Sequence, residues 1–149
     1  MANLTFYIFE GLLVGTAGGK PVHLYTGSGG GSGSTKNAPT DAANNPYRIG
    51  QKTSEGAGGH LHGGPIPPGR YKIASPAHHP HLGLSARLDP DKGNAMYHRG
   101  GFYIHGRGSH GSDGCLVPMH GLQPLMDGLK KDHGGTLFVQ EALGGDRFV

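Results

Sequence analysis

Residues 102–115, Phe-Tyr-Ile-His-Gly-Arg-Gly-Ser-His-Gly-Ser-Asp-Gly-Cys, change character in the middle. Gly101-Phe-Tyr-Ile-His105 is aromatic and β-branched, so it reads as a strand that delivers His105 at its end. Gly106, Gly108, Gly111 and Gly114 then allow a tight loop that returns to Cys115, the only cysteine of the chain. A thiol becomes a nucleophile when a neighbouring base or positive field favours its thiolate. Cys115 is the candidate nucleophile and His105 the candidate base, held at a strand end and facing an open loop. His110 is the rival base; Gly108 and Gly111 fix it less firmly, and its other role is to line a groove. Asp113 has two readings, orienting His105 as the third member of a triad or capping the Ser-Asp-Gly turn. Ser112 hydrogen-bonds the loop, and Gly114 offers a main-chain N–H to a developing oxyanion. Arg107 is either a bidentate partner for a substrate carboxylate or a solvated side chain.

Working outward, strand signals dominate. Leu4-Thr-Phe-Tyr-Ile-Phe9 reads as a strand, with Leu12-Leu-Val14 as its hairpin partner across Glu10-Gly11. Pro21–Tyr25, Arg70–Ala74 and Thr136–Gln140 are further strands. Leu82, Leu84, Ala86 and Leu88 alternate with Gly83, Ser85 and Arg87, the pattern of a strand with one buried face. Pro65-Ile-Pro-Pro68 is extended and rigid. Only residues 122–132 look helical: Leu122, Leu125, Met126 and Leu129 form one apolar stripe, Pro124 fits a first turn, and Gly128 weakens the helix. Many short strands with one helix near the C-terminus predict a mainly β fold, a sandwich or barrel.

Between Gly27 and Gly64 the composition turns to Gly, Ser, Asn and Pro. The run Gly27-Ser-Gly-Gly-Gly-Ser-Gly-Ser34 and the segment Gly56–Gly59 predict a flexible surface loop over about 27–64 that frames a groove. At 149 residues the expectation is one catalytic domain over 1–149. Thirty glycines and eleven prolines favour turns. A net charge of +3 with no long Lys/Arg run and no Trp argues against nucleic-acid binding. One cysteine excludes an internal disulfide and a multi-Cys zinc site. His60-Leu-His62 and His78-His79-Pro-His81 could ligate a metal, but in sequence they lack Cys or acidic partners; they read as an exposed polar surface, with no metal and no cofactor. Met1-Ala-Asn-Leu-Thr has no basic n-region, so no signal peptide is expected, and no apolar run is long enough to span a membrane.

Ile104-His105-Gly106 followed by Ser112-Asp113-Gly114-Cys115 resembles the active-site signature of YkuD-type L,D-transpeptidases. The ten-residue step from His105 to Cys115 and the Asp two before the Cys are similar to a diverged branch, the type VI secretion effectors that act on peptidoglycan. Gly63-Gly-Pro-Ile-Pro-Pro-Gly-Arg-Tyr71 resembles the segment that precedes the catalytic loop in that branch, so the resemblance covers roughly residues 63–117. It implies an L,D-transpeptidase-like β fold and a cysteine enzyme that cleaves or exchanges the terminal D-alanine of stem tetrapeptides through a thioester. It further implies peptidoglycan stem peptides as substrate, an immunity protein as partner, and leaderless delivery to act in a target-cell periplasm. A monomer is expected. Two other classes stay open on the residues alone. One is a non-catalytic His-rich module that binds metal or wall glycan; the other is a Cys–His protease or amidase of a different family.

Overall fold

The computed structural model describes residues 1–56 and 59–144. Eleven strands and one α-helix stand among them. The strands are β1 (Ala2–Tyr7), β2 (Leu12–Ala17), β3 (Lys20–Ser28), β4 (Ser54–Gly56), β5 (Gly59–Leu61), β6 (Gly69–Ile73), β7 (Ala77–His79), β8 (Gly83–Pro90), β9 (Phe102–Ile104), β10 (Leu116–Pro118) and β11 (Gly135–Gln140), and the helix is α1 (Leu122–Lys131).

The main sheet closes on itself. Its order is β6-β11-β1-β2-β3-β10-β9-β8-β7, and β6 also pairs with β8, which makes a barrel with β7 as an appended strand. Closure removes the unpaired edges that an open sheet would present. Long β8 makes it possible by serving three partners: Gly83–Ser85 meet β7, Ala86–Leu88 meet β9, and Leu88–Pro90 meet β6. Two contacts are parallel, β1 with β11 and β10 with β9. Strand alternation supplies the core: Ala2, Leu4, Phe6 and Ile8 of the first strand and its end are all buried, as are Tyr71 and Ile73, Ala86 and Leu88, Phe102 and Ile104, and Leu137 and Val139. The Tyr71 hydroxyl is satisfied by donating to the Pro67 carbonyl at 2.7 Å.

Helix α1 packs its Leu125–Met126–Leu129 stripe onto this core, each side chain contributing about 1.5–3 kcal/mol by burial. Gly128, which weakens the helix by propensity, is needed for that docking. A Cβ there would come within 2.8 Å of the Ala17 carbonyl oxygen, so the helix backbone lies directly against β2. Asp132 follows the helix and accepts the Gly18 N–H at 2.7 Å.

The Gly27–Ser34 run corrects the surface-loop expectation. Gly27 through Ser32 are buried. The run is bonded to the loop of Cys115: Gly31 N–H donates to Ser112 O, Ser112 N–H to Ser32 O, and Gly29 N–H to Ser112 Oγ. Its glycines serve close approach, because a Cβ on Gly29 would lie 2.3 Å from Gly64 carbon. Residues 57–58 of the Gly56–Gly59 segment lie outside the described residues.

Candidate functional site

Strands β9 and β10 run parallel with Ile104 opposite Leu116, and both of these side chains enter the core. His105 stands just past β9 and Cys115 just before β10, and the Ile104–Leu116 pairing sets these two strands side by side. His105 N–H donates to the Leu116 carbonyl at 3.0 Å, which fixes the histidine backbone to the strand that Cys115 leads into.

His105 is 7% exposed. Its Nδ1 lies 2.8 Å from the Gly106 carbonyl, which can only accept, so Nδ1 carries the proton and Nε2 keeps a lone pair. Burial holds the imidazole below its ordinary range; the Gly106 contact opposes this and nearby His79 adds to it. His79 sits on β7 with its ring 5.2 Å from that of Tyr103, so part of the supposed polar surface lies beside β9.

Cys115 is partly buried, and burial pushes its thiol up to about 11. The Tyr103 N–H at 3.3 Å from Sγ opposes that shift, the Asp113 carboxylate adds to it, and the Arg99 guanidinium opposes it. The resting group is thus a thiol, with the Gly101 carbonyl oxygen 3.8 Å from Sγ. Cys115 opens onto a cleft of about 250 Å³ that Lys52, His98, Arg99 and Asp113 also line.

Arg99 carries no sequence signal, a lone arginine outside the motif, yet it organises the loop. It donates to the carbonyls of Ile49, Gly64, Pro65 and Asp113, and its guanidinium lies 5.3 Å from the Phe102 ring centre. It therefore joins the Gly63–Tyr71 segment to the residue two before Cys115.

The remaining residues of the motif divide. Ser112 is buried and knits the loop: its Oγ donates to the Cys115 carbonyl and accepts from Gly29 N–H and Gly114 N–H. The Gly114 N–H is thereby committed to Ser112 at 3.0 Å, a correction to its reading as an oxyanion donor. Gly114 is still required, with φ of +138° and a space where a Cβ would lie 2.4 Å from the Phe102 ring. Asp113 does not orient His105, whose Nδ1 is taken by Gly106. Its Oδ1 instead meets His62 Nδ1 at 2.7 Å and Gly63 N–H at 3.2 Å. Arg107 and His110 are exposed, and Arg107 lines a different cleft, beside Phe9, Tyr25 and Met119. His60, in β5, completes the surroundings of Asp113, with Nε2 3.6 Å from Oδ1. The acidic partner that His60 and His62 lack in sequence is supplied in space.

No known protein family matches the chain, and no curated protein does. Among solved structures, the helical cell shape determining protein Pgp2 (K307A mutant) from Campylobacter jejuni is similar with a TM-score of 0.47 and 13% identity, over 97% of this chain and 48% of that one. The chain spans about half the length of that protein, and a likeness of this size carries no inference about activity.

Proposed function

We propose that the chain is a cysteine enzyme of the peptidoglycan stem peptide, an L,D-carboxypeptidase or L,D-transpeptidase. The observation that supports this reading is that β9 and β10 are bonded neighbours, with His105 just past one and Cys115 just before the other, and that the Gly106 carbonyl sets the histidine tautomer. Sγ attacks the carbonyl before the terminal D-alanine. His105 Nε2 takes the thiol proton and returns it to the leaving amine. The thioester then passes to water or to an acceptor amine. With Gly114 N–H engaged, the main-chain N–H of Cys115 itself is the donor we assign to the oxyanion. A thiol near 11 in the free protein suits a nucleophile deprotonated only during attack. The Lys52 ammonium and the Arg99 guanidinium in the cleft lining suit a substrate that ends in a carboxylate.

The deciding experiment is mass spectrometry of purified muropeptides after incubation with wild type and with Cys115→Ala. Loss of D-alanine from tetrapeptides, or its exchange, with wild type alone is the expected result. Equal behaviour of the two proteins sinks the covalent mechanism and leaves a binding module. Delivery to a target-cell periplasm and an immunity partner belong to the same reading. Expression directed to the periplasm should be toxic for wild type and harmless for Cys115→Ala, and equal survival would remove the effector role.

A further inference from the structure

We propose that His60, His62 and Asp113 form a binding site for a divalent first-row transition ion, of the zinc class, beside the cleft of Cys115. One ligand atom from each residue lies within 4.8 Å of the others. Two separations are known individually, 2.7 Å from His62 Nδ1 to Asp113 Oδ1 and 3.6 Å from His60 Nε2 to the same oxygen. Metal–ligand bonds of about 2.0–2.2 Å set tetrahedral ligand–ligand spacings of about 3.4 Å, which these two distances bracket. Two imidazoles and one carboxylate suit borderline ions such as zinc or ferrous iron rather than calcium or magnesium.

The surroundings hold the donors in place. The His62 ring packs over Gly31, where an added Cβ would lie 3.1 Å from its Cδ2 and Nε2, and this leaves Nδ1 toward Asp113. The His62 carbonyl accepts from Gln51 Nε2 at 2.7 Å. The other nitrogen of His60, Nδ1, is 3.7 Å from Glu55 Oε1, the outer carboxylate that metal-bound imidazoles commonly have. The β4–β5 pair stands apart from the barrel sheet, and all six of its residues are exposed. A two-stranded hairpin with no buried face is marginal by itself, so an ion that clamps His60 and His62 to Asp113 would anchor it. On binding, the ion takes the Nδ1 lone pair of His62, and the ring proton shared with Asp113 moves through solvent to Nε2, so the imidazole stays neutral. Three protein ligands leave a position open to water.

Metal-free full-length protein should be titrated with Co²⁺ and followed by visible absorption, then displaced with Zn²⁺. One equivalent should bind, with d–d bands and no sulfur-to-cobalt charge transfer. Zn²⁺ should raise the melting temperature. His60→Ala changes an exposed side chain and should lose more than about 100-fold in affinity, and Glu55→Gln about 10-fold, by analogy with outer-shell losses. Asp113→Asn should also abolish binding, and the doubly substituted His78→Ala, His81→Ala protein should bind as wild type does. Absence of saturable binding overturns the proposal. So does binding that survives His60→Ala and Asp113→Asn, binding lost with His78 and His81, or a thiolate band that Cys115→Ser removes. None of these readouts depends on turnover, so they stand or fall separately from the muropeptide assay.

Discussion

At the scale of single residues, the chemistry turns on how two protons are held. Cys115 is a thiol because burial outweighs the Tyr103 N–H and Arg99, so rapid alkylation at neutral pH, the simplest sign of an activated cysteine, is not expected of the free protein. Its iodoacetamide rate should rise about tenfold per pH unit until about pH 11. A plateau near neutrality would show a thiolate that the structure does not support. His105→Ala should cut muropeptide turnover by about 10²–10⁴-fold, the usual worth of a general base, while exposed His110→Ala should change it little. Initial rates of the two variants decide between them, and a larger loss in His110→Ala would move the base. The strand that ends before His105 and the glycine-rich turn back toward Cys115 were legible in sequence. The partners of Asp113 were not, because His62 and Arg99 come from elsewhere in the chain and no local spacing announces them.

At the scale of elements, strand periodicity was a sound guide. β1, β2, β3, β6, β8, β9 and β11 all overlap segments read as strands, and α1 overlaps the apolar stripe. The segments left unread as strands, β4, β5, β7 and β10, are three residues each, too short to show alternation. The Gly/Ser run was misread for a different reason. Composition reports that glycine lacks apolar area; it does not report that backbone can be buried against backbone when its hydrogen bonds are satisfied. Gly29 at φ of +77° has Gly64 where its Cβ would stand, so Gly29→Ala should cost at least about 2 kcal/mol and depress the melting temperature. Shortening Gly27–Ser34 should unfold the protein rather than merely slow it, and a folded, slower variant would restore the surface-loop view. Arg99→Leu leaves four carbonyls without their donor and should lose about 2–3 kcal/mol, measured by urea denaturation.

At the scale of the whole molecule, three buried titratable groups set how stability responds to pH. Burial raises Cys115 and Tyr71 in the folded state, so the unfolded chain loses these protons first and stability falls as pH climbs from the ordinary thiol range toward about 11. Burial lowers His105, so the unfolded chain takes its proton first and stability falls as pH drops below about 6.5 toward the lowered native value. Urea midpoints across this range should show both declines, and the acid one should shrink in His105→Gln; an unchanged acid limb would assign it to other groups. The sequence by itself determined a mainly β chain with one late helix and a glycine-rich turn after the strand that ends before His105, because alternation, helical spacing and turn residues act over a few neighbouring positions. Only the tertiary structure decided the closure of the barrel by β6 and β8, the burial of the Gly27–Ser32 backbone, the Arg99 clamp, and the meeting of His60 and His62 with Asp113. Each of those joins residues far apart in the chain, where the pairing is chosen by what packs and what hydrogen bonds remain to be filled.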